Sequence, residues 1–274
     1  MRRVGLAVTD PVGPAEARCL VLGHSLGTSA ALWADALPLL AQDFRVLCWE
    51  LPGHGASPVA QAAFTVGDLS DALVEHLETL GVRKFLYAGV SITGTVGLDI
   101  ALRHADRVGG VAVISSGARV ESRSAWAERA ASVRVHGTQS LVPGSAQRWF
   151  APSTRELHRD RIARLLEALR DTDDESYACA CEALADYDGT AGLARTAAPV
   201  LAVWGQYDEL VPQQWSAEIA RVVRRGALEC VPDAAHASPA EQPATVADRL
   251  ASFFGTAPGP VPTSSPADHS PTST

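Results

Sequence analysis

Short apolar runs that end in Gly or Pro and alternate with helical segments constrain this chain most, because that alternation belongs to a mainly parallel β-sheet flanked by helices. Strands are expected at 4–8, 18–23, 45–50, 84–89, 110–115, 199–204 and 227–231. A helix is expected over 66–80: Val66, Leu69, Leu73, Leu77 and Leu80 form one apolar stripe, Thr65 caps it with Asp68 three residues on, and Gly81 ends it. Between Gly117 and about Thr190 the strand rhythm stops. That stretch reads as three or four helices, near 122–135, 145–150, 155–170 and 174–186, with Pro143 and Pro152 as breaks. An all-helical insertion between strands of a parallel sheet forms a cap over the strands' C-terminal ends, where such sheets bind ligands. The expected organisation is a core of residues 1–116 and 191–255, a helical cap over 117–190, and a disordered tail rich in Pro, Ser and Thr over 256–274.

The 274 residues suffice for one large α/β domain. A net charge of −8 with no run of Lys or Arg argues against a nucleic-acid partner or an anionic membrane surface. No stretch approaches the roughly 20 apolar residues of a membrane span. The basic start, Met1-Arg2-Arg3-Val4-Gly5, leads to Asp10 and Pro11 rather than to a long apolar core, so no secretory signal is read and a cytoplasmic location is expected. Five scattered cysteines, at 19, 48, 179, 181 and 230, fit reduced core residues. Cys179-Ala180-Cys181 has no matching pair or His cluster, and residues two apart on a helix face different ways. Core packing is the better reading, and no metal is expected.

A serine nucleophile on a sharp strand-to-helix turn carries the pattern G-x-S-x-G, whose small flanks let neighbouring backbones approach. The only full match is Gly23-His24-Ser25-Leu26-Gly27; Gly89-Val90-Ser91-Ile92-Thr93 has Thr in the last small position. Strand order nevertheless favours Ser91. One weak strand comes before the strand that leads into Ser25, whereas four strands lead up to Ser91, and an apolar segment with Val96, Leu98, Ile100 and Leu102 follows it. The Gly23–Gly27 loop is left to aim a backbone N–H at the reacting carbonyl. Partners must follow in the order acid, then histidine. Asp208, just past the strand at 199–204, is the better placed acid, with Glu209 the fallback, and His236 follows the strand at 227–231. His24 and His54 read as structural loop residues near the site mouth.

The phrases Gly23-His24-Ser25-Leu26-Gly27, Phe44-Arg45-Val46, Pro52-Gly53-His54-Gly55-Ala56-Ser57 and the elbow at Ser91 resemble the α/β-hydrolase superfamily over residues 1–255. Leu22 to Ser29, Leu32-Trp33, Arg148-Trp149-Phe150 and Tyr177 to Ala183 are similar, more narrowly, to 3-oxoadipate enol-lactonases. The resemblance implies an α/β-hydrolase fold with the cap inserted after the sixth core strand. It also implies a Ser91–Asp208–His236 triad and an oxyanion hole from the N–H groups of Leu26 and Ile92. Three departures stand out: Thr93 for the usual Gly, which would narrow the pocket; Glu50 for the usual Asp; and a short N-terminus that removes the outermost strand.

The implied reaction is hydrolysis of a small ester or lactone through an acyl-enzyme, with no cofactor. A carboxylate-bearing substrate needs a cation, and Arg148 in the cap is the candidate. Trp149 beside it and Ser25 are further candidate substrate contacts. Rival functions on the same fold are a carboxylesterase, a cofactor-free haloperoxidase-like enzyme, a C–C bond hydrolase and a secondary-metabolite lactonase or cyclase. A non-catalytic small-molecule receptor is the rival from another class.

Overall fold

The structure, a computed structural model, describes residues 4–256; the expected tail beyond them lies outside the described residues. Seven strands form one sheet: β1 (Ala7–Val8), β2 (Cys19–Gly23), β3 (Arg45–Glu50), β4 (Phe85–Val90), β5 (Val108–Ile114), β6 (Val200–Gly205) and β7 (Gly226–Val231). Their order is β1-β3-β2-β4-β5-β6-β7. Only β1 runs antiparallel to its neighbour, pairing Ala7 with Glu50 and Val8 with Trp49. Every expected strand exists, but the first is cut from five residues to two.

The helices are α1 (Leu37–Leu40), α2 (Val66–Thr79), α3 (Ile92–Arg103), α4 (Arg123–His136), α5 (Val142–Trp149), α6 (Pro152–Leu157), α7 (Arg159–Asp171), α8 (Asp174–Asp186), α9 (Gln213–Val222), α10 (Ser238–Glu241) and α11 (Pro243–Thr256). All six residues of β4 are buried, so this central strand is covered on both faces, as its unbroken apolar run requires. The capping box on α2 forms as its sequence demands: the Asp68 N–H donates to Thr65 Oγ1 at 3.0 Å and the Thr65 N–H to Asp68 Oδ2 at 2.9 Å.

Helices α4 to α8 all lie between β5 and β6. Among the described residues five strands precede the helical insertion, in line with the five apolar runs before Gly117 and not with the six that the resemblance implied. Pro143 and Pro152 start helices rather than break them. Each sits in a first turn, where its missing N–H costs nothing. His158 then divides the stretch expected as one helix into α6 and α7. Arg134 on α4 reaches both Glu175 and Glu182 on α8, at 2.8 and 2.5 Å, and ties these two insertion helices together. No helix among the described residues is long and apolar enough to cross a membrane.

Because β2 to β7 are parallel, the segments after β2, β4, β6 and β7 meet at one end of the sheet. Those segments carry Ser25, Ser91, Asp208 and His236.

Candidate active site

β4 ends at Val90 and α3 begins at Ile92, so Ser91 alone makes the turn. Its φ of 57° and ψ of −122° lie where a side chain is strained, at a cost of about 1–3 kcal/mol. Neighbouring bonds hold it there: the Ser91 N–H donates to Ile114 O at 2.9 Å, and Ser116 Oγ donates to Ser91 O at 2.6 Å. Ser25, by contrast, is not among the residues with positive φ. Thr93 does not narrow the cavity. Its Oγ1 accepts the Val90 N–H at 2.9 Å and donates to Val90 O at 3.1 Å, and its Cβ and Oγ1 face Gly23 on β2. Gly23 makes this fit, since a Cβ there would stand 2.6 Å from Thr93 Cβ.

His236 and Asp208 meet at 3.0 Å, Nδ1 to Oδ2, with the Asp208 side chain fully buried. The carboxylate accepts, so Nδ1 carries the proton and Nε2 is left as an acceptor. Asp208 Oδ1 takes the N–H groups of Leu210 and Val211, each at 3.0 Å. Burial alone would raise the Asp208 pKa; the attraction of His236 and these hydrogen bonds outweigh it and hold the carboxyl below its ordinary range. Ser25 Oγ lies 3.4 Å from His236 Nε2, a long contact. Ser91 and His236 line the same cavity, but among the described residues Ser91 makes no hydrogen bond to that ring. Pairs of this kind often tighten only when substrate is bound.

The turn carrying Leu26 is locked by two buried imidazoles. His54 Nε2 accepts the Gly27 N–H at 3.0 Å, and its Nδ1–H donates to Pro52 O at 2.9 Å. His24 Nε2 accepts the Leu51 N–H at 3.0 Å, and its Nδ1–H donates to Ser25 O at 2.8 Å. Both rings must be neutral to make these bonds. Burial is the main reason that His24 is pushed down to about 4 and His54 to about 3, with the His24 ring nearby lowering His54 further. Gly27, at φ +74°, is pressed by the insertion: a Cβ there would meet Leu169 Cδ1 at 2.5 Å. The N–H groups of Leu26 and Ile92 bond to no protein acceptor among the described residues; Ile92 opens α3, where such groups are free. Glu50 fixes the neighbouring loop, accepting the Ala30 N–H at 2.9 Å and the Ala56 N–H at 2.5 Å.

The cavity of about 110 Å³ is roofed by the insertion, and Trp126, Arg129, Arg148, Trp149 and Tyr177 line that side. Arg129 lies over the Trp126 ring at 5.3 Å, and it lines the cavity together with Tyr177. Burial first, and then the like charge of Arg129, lower the Arg148 pKa. Neither guanidinium forms an ion pair with a carboxylate among the described residues. Glu121 is the one acidic side chain on the cavity wall among the described residues.

The family-wide sequence profile of the alpha/beta hydrolase fold matches residues 19–243. The chain belongs to the α/β-hydrolase family. This hydrolase is 29% identical over 231 residues to 3-oxoadipate enol-lactonase 2 of Acinetobacter baylyi, covering 84% of this chain and 86% of that one. It superimposes on the enol-lactonase of Burkholderia xenovorans with a TM-score of 0.86 at 28% identity, over 91% of this chain and 96% of that one. A thermophilic esterase from Thermogutta terrifontis, solved with malate bound, gives a TM-score of 0.86 at 25% identity, over 93% and 98% of the chains.

Within the hydrolase, Ser25, Leu26, Ser91, Arg148, Trp149 and His236 line one cavity, with Asp208 directly behind the histidine. Ile92 follows Ser91 in the chain. Sequence reasoning missed Arg129, Trp126 and Tyr177, which converge only because α4 and α8 pack side by side. The Arg148 spacing contains no signal for Arg129, nineteen residues away. Cys179 and Cys181 are buried in α8, their thiols pushed up to about 11 and about 12 mainly by burial.

Proposed function

We propose that this hydrolase opens a small carboxylate-bearing ester or lactone through an acyl-enzyme on Ser91, in the manner of a 3-oxoadipate enol-lactonase. The observation carrying this reading is the single-residue turn at Ser91, which shares a cavity with a histidine already in the tautomer a general base needs. His236 takes the Ser91 proton as Oγ adds to the carbonyl, and Asp208 steadies the imidazolium. The tetrahedral oxyanion accepts the N–H groups of Leu26 and Ile92, donors whose individual loss costs about 10²–10³ in rate. Collapse expels the ring oxygen, which takes the proton from His236 and leaves as an enol. Water activated by His236 then releases the acid from Ser91. Arg148 and Arg129 bind the substrate carboxylate, which relieves their mutual repulsion.

A second reading, with Ser25 as nucleophile, is favoured by its 3.4 Å approach to Nε2. Against it stands the backbone, since Ser25 is not held in the strained turn that presents Ser91. The test is a panel of acidic enol lactone, neutral lactone and aryl ester with S91A, S25A and R148A. S91A is expected to lose at least about 10⁴-fold in kcat and S25A about tenfold or less. R148A should raise KM for the acidic lactone more than for the neutral ester. The reverse order of the two serine variants would overturn the assignment, and equal KM effects would end the carboxylate role of Arg148.

A further inference from the structure

His236 sits between two peptide N–H groups that are both held from outside its loop. The Ala235 N–H donates to Glu241 Oε1 at 2.7 Å, and the Ala237 N–H donates to Trp149 O at 2.9 Å. Glu241 Oε2 accepts the N–H of Ala151, between α5 and α6, at 2.6 Å. The Thr154 side chain on α6 also favours the ionised form of this carboxylate. One side chain, 2% exposed, thus bridges the histidine loop and the insertion segment whose Trp149 lines the cavity. The charged groups facing it are His236 on its own loop and Arg161 on α7, whose Nη1 donates to Ala240 O at 3.1 Å and Glu241 O at 3.4 Å. No cation among the described residues forms an ion pair with the Glu241 carboxylate.

We propose that Glu241 is a positioning residue for the reaction, its ionised carboxylate coupling the insertion segment at Trp149–Ala151 to the peptides that orient His236. This rests on the reading of His236 as the general base. The chemistry is a matter of acceptors. An ionised carboxylate accepts on both oxygens, but a protonated one presents an O–H toward a backbone N–H on one side and loses that bond. Burial pushes the Glu241 pKa up to about 7, against the N–H groups of Ala151 and Ala235, Thr154 and His236, which pull it down. The coupling is therefore complete in alkaline solution and is lost as pH falls through about 7.

Two variants separate this role from plain structural support. E241Q keeps the shape but offers one acceptor oxygen and an amide that faces an N–H. A151P replaces the Ala151 N–H by the proline ring carbon, which removes the bond and pushes Oε2 aside while leaving the Glu241 residue itself unchanged. Ala151 has φ −58° and the preceding Phe150 is extended, so the backbone accepts proline. The rate of inactivation by a serine-directed aryl phosphonate is followed from pH 5.5 to 9, with the labelled residue located by mass spectrometry. E241Q is expected to react about tenfold slower than wild type at pH 8.5 and to converge on it below pH 6, where the wild-type carboxyl is itself protonated. In A151P the limb near pH 7 should move up by about half a unit or more, because a bond to the charged form is gone. A wild type to E241Q ratio that is constant across pH, or equal rates at pH 8.5, overturns the proposal. Should E241Q not fold, an unmoved limb in A151P does the same. Wild type that labels at a residue other than Ser91, or not at all, refutes the reading of the site instead.

Discussion

Replacing His54 by Gln should flatten the response of stability to acid. The His54 ring is fully buried between a donor, the Gly27 N–H, and an acceptor, Pro52 O, so protonation would set two donors face to face. Burial and the His24 ring hold its pKa at about 3, against about 6.5 in an unfolded chain. Between these values the unfolded chain binds a proton that the folded chain does not, so stability falls as pH falls. From pH 7 to pH 5 the loss is about 2 kcal/mol for His54, and about the same for His24, whose pKa is held at about 4. Glu241 works in the opposite sense. Its carboxyl, raised to about 7, binds a proton in the folded chain first and returns about 2 kcal/mol over the same range. Wild type should therefore lose about 2 kcal/mol net on going from pH 7 to pH 5, and H54Q close to none. Gln can still accept the Gly27 N–H through its side-chain oxygen. Urea unfolding of both proteins at the two pH values measures this difference. Equal losses in wild type and H54Q would refute the claim that a buried neutral His54 sets the acid limit.

Other expectations concern the elbow and the insertion. G23A places a Cβ 2.6 Å from Thr93 Cβ and 2.7 Å from Trp49 Nε1, so it should destabilise by at least about 2 kcal/mol; adding T93G should recover part of that, and purely additive effects in a double-mutant cycle would contradict the packing described. T93A alone removes both hydroxyl contacts to Val90 and should cost about 1–2 kcal/mol in chemical denaturation. R134A, which severs half-exposed ion pairs between α4 and α8, should cost about 1 kcal/mol or less, and less still in high salt.

Much of the fold could be read from the chain because buried parallel strands are written as unbroken apolar runs. β2 to β7 lie within two residues of their expected positions. β1 was legible as apolar but not as a two-residue edge strand, since its length depends on where β3 offers partners. The insertion helices were visible by composition, while their boundaries were not. A proline reads equally as an end or a first turn until the preceding residue's geometry is known. In the site, Asp208 and His236 stood out because order along the sheet constrains them. His54 was legible as a structural loop residue, but Arg129 and Glu241 were not: Arg129 meets Tyr177 in the cavity only because α4 packs on α8, and Glu241 acts through Ala151, far from it in the chain.

The facing of Gly23 and Thr93 has an evolutionary consequence. Thr93 and the Trp49 indole together occupy the space that any side chain at 23 would need, so position 23 cannot vary independently of either. A lineage that holds Thr at the elbow is barred from enlarging residue 23, and one that has enlarged residue 23 cannot take Thr at 93. The order of mutations then decides which hydrolases of this fold can ever be reached from one another by single steps.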